Sequence, residues 1–268
     1  MRSGICRVEN GAWVLFLSLA FLAFAGPARA DPGDGADQGA EFRPATDWRA
    51  PRGLAPSQRD LRARLAREPV VRRMFAKAGV AWPPARMLFR VFKEERELEV
   101  WASGAGDEPM KRVATYGICS APRTPGPKSR QGDNLVPEGF YRIDAFNPAS
   151  AYHLSMRVSY PNAWDRRRSR ARPLGGAIMI HGNCVSIGCL SMTDERIEEL
   201  WVMAQAVRAA GHAIDVNLYP ARDLRGLIER EADPELAAFW RTLLAGNEQF
   251  ERTRRPPRPG IRDGRYAF

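Results

Sequence analysis

Residues Gly175–Met192 read GGAIMIHGNCVSIGCLSM, and the fold and chemistry of the chain are decided there. Ala177 to Ile180 is a short apolar run of the kind a buried strand uses, and it delivers His181 at its end, followed by Gly182. After a loop of small and polar residues comes Gly188-Cys189, and a helix signal begins just beyond Met192. A cysteine nucleophile needs a base to become a thiolate, and imidazole suits that task near neutral pH. Strand ends and the loops beside them hold such groups rigidly while leaving them open. A glycine before the cysteine lets substrate approach the backbone, so the N–H groups of Gly188 and Cys189 are candidate oxyanion donors. The chain has three histidines, which narrows the choice of base. His153 sits inside a strand pattern and His212 follows Gly211, where a helix ends, so both have ordinary structural roles. A zinc site at His181, Cys184 and Cys189 would need a fourth ligand, and no paired C-x-x-C or H-x-x-x-H spacing offers one. No metal is expected.

Downstream, Thr193 is placed to cap a helix with Asp194 and Glu195 in its first turn. Ile197, Leu200, Trp201, Ala204 and Val207 form its apolar stripe, and Gly211 ends it. A strand over Ala213 to Tyr219 and a last helix from Pro234 to about Leu244 follow. Upstream, Met87 to Phe92 and Leu98 to Ala102 read as a hairpin around a charged turn, with a third strand from Arg112 to Cys119. Ser120 to Pro137 is a loop, and short strands follow at Phe140 to Asp144 and Tyr152 to Ser159. The expected class is α+β, a mostly β catalytic domain over 85–250 with flanking helices. Ahead of it, 57–84 reads as two short helices split at Pro69, with Leu61, Leu65, Val71, Met74, Phe75 and Ala78 apolar and the arginines on a solvated face. Residues 251–268 are basic and proline-rich, which predicts a disordered tail.

The chain is 268 residues long, 44% hydrophobic and 27% charged, a balance that excludes wholesale disorder. Its net charge of +10 alone would point to nucleic acid or another anionic polymer. The N-terminus argues against nucleic acid. Arg2 and Arg7 precede an apolar run from Ala12 to Ala25, and Ala28-Arg29-Ala30 is a small-x-small cleavage pattern. That is a secretory leader over 1–30, too short for the ~20 residues of a spanning helix. An exported, periplasmic protein with no stable membrane insertion is expected, preceded after cleavage by a flexible lead-in over 31–56. Cys6 precedes the apolar run, and the rest of the chain keeps Cys119, Cys184 and Cys189. In an oxidising compartment one disulfide can form and one thiol must stay free.

The central stretch resembles the catalytic motif of the L,D-transpeptidase (YkuD-type) family, in which an IHG strand end precedes an S-x-G-C loop. His181-Gly182 matches the first part and Ser186-Ile187-Gly188-Cys189 the second. Phe89 to Trp101, Gly126 to Tyr141, Ser159 to Asp165 and Met192 to Asp194 resemble the murein-peptide, YafK-like branch. The resemblance implies that Cys189 is the nucleophile and His181 the base, with the Gly182 carbonyl fixing the imidazole tautomer. It implies a supporting role for Ser186, and oxyanion donors at Gly188 and Cys189. Commoner members carry a second histidine before the Gly-Cys pair and an Arg or Asn shortly after, where this chain has Ile187 and Ser191. Cys119 and Cys184 fall at positions the branch uses and are expected to pair; three reduced thiols are the alternative.

The activity so implied is a periplasmic cysteine L,D-transpeptidase acting on peptidoglycan stem peptides through an acyl-enzyme, with no cofactor. The same chemistry up to the acyl-enzyme would serve a hydrolase that trims peptidoglycan or detaches a peptidoglycan-linked lipoprotein. A different class, a non-catalytic wall-binding module with a basic surface, is the second alternative. Tyr160, Asn162 and Trp164 are candidate cleft residues, although Pro161-Asn162 is also a natural turn. The run Arg166 to Arg172 could meet stem-peptide carboxylates, a solvated loop being its ordinary reading.

Overall fold

A computed structural model describes residues 58–104 and 108–268. The leader at 1–30 and the lead-in at 31–56 lie outside the described residues. In chain order the elements are α1 (Gln58–Ala78), β1 (Arg86–Phe92), β2 (Glu97–Ser103), β3 (Lys111–Gly117), β4 (Gly139–Asn147) and β5 (Ser155–Val158). Then come α2 (Ala163–Arg168), β6 (Met179–His181), β7 (Leu190–Ser191), α3 (Asp194–Ala209) and β8 (Ile214–Tyr219). The chain ends with α4 (Leu224–Glu229), α5 (Pro234–Thr253), β9 (Gly260–Arg262) and β10 (Arg265–Ala267). Eight strands make one sheet in the order β3-β2-β1-β8-β4-β5-β6-β7, and β9 pairs β10 separately. Pairs β1–β8 and β6–β7 are parallel; the others are antiparallel. The α+β class is as expected.

The central strands are buried on both faces because both alternating sets of side chains are apolar. Met87, Phe89 and Val91 join Leu98, Val100, Ile214, Val216 and Leu218 in one core with Val71 and Phe75 of α1 and Leu200 and Trp201 of α3. The alternate set, Leu88, Phe92, Trp101 and Tyr219, packs into clusters with Trp240, Leu243 and Phe250 of α5. β4 is where the sheet turns: Gly139–Arg142 pairs β8, the remainder pairs β5, and the register breaks between Ile143 and Ala145. Beyond that turn lie β5, β6 and β7, which carry the site.

Several expectations are corrected. α1 is one helix running through Pro69, and its buried face is Asp60, Ala63, Val71 and Phe75, while Leu61 and Leu65 are exposed. Nor are its arginines merely solvated: Arg67 pairs with Glu198 of α3 at 2.7 Å, and Trp201 Nε1 donates to Asp60 at 2.5 Å. α5 continues to Thr253 because its last turns face the buried Arg90, whose guanidinium donates to Glu99, Asn247 and Glu251. A buried arginine holds its place only with such partners, so the polar residues there prolong the helix after the apolar period stops. The tail at 251–268 is ordered from the end of α5 through the β9–β10 hairpin, and Tyr266 is buried against Phe140 and Trp164. Among the described residues no helix is long and apolar enough to cross a membrane.

Candidate active site

β6 is three residues long and is held from both sides. Ser155 of β5 lies opposite His181 on one edge, and Ser191 of β7 lies opposite it on the other. The parallel β6–β7 pairing forces the chain to leave β6 at Gly182 and return through a loop that ends at Cys189, one residue before β7. Gly182 is irreplaceable there by size: a Cβ would sit 2.5 Å from an Asp194 carboxylate oxygen and 2.9 Å from the His153 Cβ. The loop is pinned by Asn183 N donating to Asp194 (2.8 Å) and Cys184 N donating to the Met192 carbonyl (3.1 Å). Its third anchor is covalent. Cys119 and Cys184 form a disulfide with Cα atoms 5.2 Å apart, and Cys189 is the free thiol among the described residues. That pairing also removes Cys184 from any zinc ligand set.

His181 is 3% exposed. Its Nδ1 lies 2.7 Å from the Gly182 carbonyl oxygen, an acceptor, so Nδ1 carries the proton and Nε2 the lone pair. The Ser191 hydroxyl donates to the same carbonyl at 3.3 Å. Burial pushes the imidazole's pKa below its ordinary value, with the bond to Gly182 opposing, so the ring is neutral at rest. The half-buried Cys189 sulfur is 3.7 Å from the Ala177 carbonyl. Burial pushes its thiol up, against a backbone hydrogen bond from Met179 and the charge of Lys128. At rest, therefore, the Cys189 thiol and the His181 imidazole are both neutral.

The expected oxyanion donors are not free. Gly188 N and Cys189 N both donate to Ser186 Oγ, at 3.1 and 2.8 Å, and that hydroxyl donates to the Cys189 carbonyl at 2.7 Å. Ser186 thus closes the loop on itself. Gly188 has φ of +150°, which favours glycine, and the turn at Asn134 and Leu135 lies against it.

The candidate cleft residues are engaged within the fold. Tyr160 is buried and donates to the Leu174 carbonyl at 3.1 Å, while Asn162 caps α2 and donates to the Phe140 carbonyl and Tyr266 hydroxyl. Trp164 is stacked on Phe239 at 4.1 Å in the second core. Sequence reasoning missed Tyr152, whose ring centroid is 4.9 Å from that of His181. It also missed the buried Lys128–Asp133 pair (2.6 Å) on the loop covering Gly188. The signal for Lys128 was its place in the quoted 126–141 stretch; for Tyr152 it was an aromatic just outside the strand that flanks β6.

Residues 86–216 match the model of the YkuD family, the L,D-transpeptidase catalytic domain. An Escherichia coli (strain K12) protein named "Putative L,D-transpeptidase YafK" is 36% identical over 181 residues, which cover 66% of this chain and 72% of that protein. Among solved structures, the helical cell shape determining protein Pgp2 from Campylobacter jejuni is 18% identical with a TM-score of 0.43, covering 67% of this chain and 64% of that one. Bd1075 of Bdellovibrio bacteriovorus is 19% identical with a TM-score of 0.38, over 64% of this chain and 59% of that one. The chain thus spans less than two thirds of either solved relative. It belongs to the L,D-transpeptidase catalytic-domain family.

Proposed function

We propose that this protein is an exported cysteine L,D-transpeptidase that acts on peptidoglycan stem peptides through a Cys189 acyl-enzyme. His181 Nε2 takes the thiol proton as the sulfur attacks the carbonyl at the L-centre of meso-diaminopimelate. The C–N bond then breaks, and the imidazolium returns its proton to the departing amine. An acceptor amine, or water, releases the acyl group. The observation carrying this reading is the tautomer: the Gly182 carbonyl holds the proton on Nδ1 and leaves Nε2 as the base, on the strand paired with the one Cys189 introduces. Export is supported by the leader pattern and by the Cys119–Cys184 disulfide, which an oxidising compartment permits.

A second reading, in which the donor is a stem peptide linked to a lipoprotein and water is the acceptor, is favoured by the site's rim. Ile187 is 85% exposed and Val185 52%, both on the loop that carries Cys189. Exposed apolar residues beside a nucleophile suit a leaving group that bears a polypeptide. The test is incubation with disaccharide-tetrapeptide and, separately, with lipoprotein-linked muropeptide, the products being read by mass spectrometry. Cys189→Ala and His181→Ala are each expected to abolish acyl transfer. Full turnover in Cys189→Ala would overturn the reading, and salt-sensitive wall binding that survived both substitutions without acylation would favour the binding module.

A further inference from the structure

The imidazole of His181 is almost fully buried, yet the side chain lying over it is not. Tyr152, in the connection between β4 and β5, is 47% exposed, and its ring is inclined 43° to the imidazole at 4.9 Å between centroids. A half-exposed aromatic ring keeps such a position only if its backbone is fixed, and here it is. The Tyr152 carbonyl accepts the Gly182 N–H at 3.0 Å, and the Tyr152 N–H donates to Ser150 Oγ at 3.0 Å. The next residue, His153, has φ of +68° and bonds through Nε2 to Glu198 of α3 at 3.0 Å. From α1, Arg59 donates to the carbonyls of Ser150 (2.6 Å) and His153, straddling Tyr152, while Arg67 holds Glu198. The N-terminal helix therefore clamps the turn that carries the ring.

We propose that Tyr152 is a positioning residue for His181: held by α1 through Arg59, its ring covers one face of the imidazole, fixes the ring plane and keeps water off it. The proposal rests on the reading of His181 as the base for Cys189. The titratable side chain against the imidazole is the Tyr152 phenol, and on the proposed reading the Cys189 thiol from the β6–β7 loop meets its other nitrogen. Beyond Gly182 stand Asp194 of α3 and His153, whose Nδ1 is 3.9 Å from the Asp194 carboxylate. Burial is what lowers the imidazole's proton affinity, and Tyr152 is the removable part of the cover.

The test uses the full chain with labelled histidine. With three histidines present, His153→Gln and His212→Gln assign the His181 resonance by elimination. Its titration is followed without substrate in wild type, Tyr152→Phe, Tyr152→Ala and Arg59→Gln, alongside kcat and KM on disaccharide-tetrapeptide. Tyr152→Phe is expected to match wild type in both. Tyr152→Ala is expected to move the His181 titration upward and to lower kcat roughly tenfold or more, with KM held. Arg59→Gln moves both in the same direction. A wild-type titration and kcat in Tyr152→Ala would overturn the proposal, as would a Tyr152→Phe variant as impaired as Tyr152→Ala. Because the titration needs no substrate, it answers for Tyr152 even if Cys189→Ala were to stay active.

Discussion

Ser186 and Cys189 are joined in both directions: the Ser186 hydroxyl accepts the Cys189 N–H at 2.8 Å and donates to the Cys189 carbonyl at 2.7 Å. With the Gly188 N–H also pointed at that oxygen, the hydroxyl stands where a developing oxyanion would seek its donors. Ser186→Ala removes the acceptor of two N–H groups. It is expected to cost about 1–2 kcal/mol of stability, read by calorimetry, and to slow acylation because the donors are no longer held together. Faster acylation in Ser186→Ala would mean that the hydroxyl only blocks the donors.

Lys128 and Asp133 form a buried pair beside the loop that ends at Cys189. Lys128 Nζ also donates to the Arg130 carbonyl at 2.9 Å, and Asp133 accepts the N–H groups of Ser129, Arg130 and Leu135. Burial alone would raise the Asp133 carboxyl's pKa; Lys128 and those N–H groups outweigh it and hold the carboxyl below its usual range. The Lys128 charge favours the Cys189 thiolate. Removing it in Lys128→Met is expected to raise the pH at which iodoacetamide alkylates Cys189. Asp133→Asn, which uncovers the ammonium, is expected to lower it. A merely structural pair would move both variants the same way, so the opposed signs are the measurement.

How far the sequence disclosed this arrangement depends on the range of the interactions. The strand that ends at His181, the loop that ends at Cys189 and the β1–β2 hairpin were legible because local spacing encodes them: an apolar run ending in His-Gly, a Gly-Cys pair before a short apolar stretch, and two alternating segments around a turn. Leu61 and Leu65 misled because α1 docks through Asp60 to Trp201 across the core, which local hydropathy does not register. The ordered tail was missed for a like reason. Arg252 to Pro259 is basic and proline-rich, yet Tyr266, six residues farther than Gly260, closes onto Trp164 and Asn162. Tyr160 and Asn162 were drawn toward the cleft by their nearness in sequence to the motif; in the fold Tyr160 packs in the first core, and Asn162 caps α2 and donates to Tyr266 of the second.

Asp165 makes stability depend on pH. It is buried in the α2 cap, accepting the Asn162 N–H at 2.8 Å, with the Tyr141 hydroxyl 3.1 Å from both carboxylate oxygens. That phenol is also 3.0 Å from the Glu138 carbonyl, which needs its one proton, so a protonated Asp165 completes the set. Burial raises the carboxyl from 3.8 to about 7, against the Asn162 N–H and the charges of Arg168 and Arg166. A folded-state pKa above the unfolded one means that this contribution is full below about pH 4 and is lost as pH rises through 7. Asp165→Asn keeps an acceptor and cannot ionise. The variant's Tm relative to wild type is expected to rise between pH 4 and 7, followed by calorimetry; a constant difference would count against it.

The disulfide is expected to matter more for holding the nucleophile loop than its exposed position at Cys184 implies. Cys119 is tied to the site's strand as well, since its N–H donates to the Ser191 carbonyl at 2.8 Å. The bond thus links the end of β3 to the turn after His181 and closes a sequence separation of 65 residues. In the chain-entropy model a closure of that length stabilises by about 4 kcal/mol. The double variant Cys119→Ser, Cys184→Ser is expected to lose up to that amount in denaturant unfolding. Its Gly182–Cys189 amides should exchange faster with solvent, because hydrogen bonds such as those of Asn183 and Cys184 would then hold the loop without a covalent anchor. Acylation should fall with them, while Cys189 alkylates more readily. Peptide mapping without reductant checks the premise: a Cys184–Cys189 link in active protein would remove both the anchor and the nucleophile assigned here.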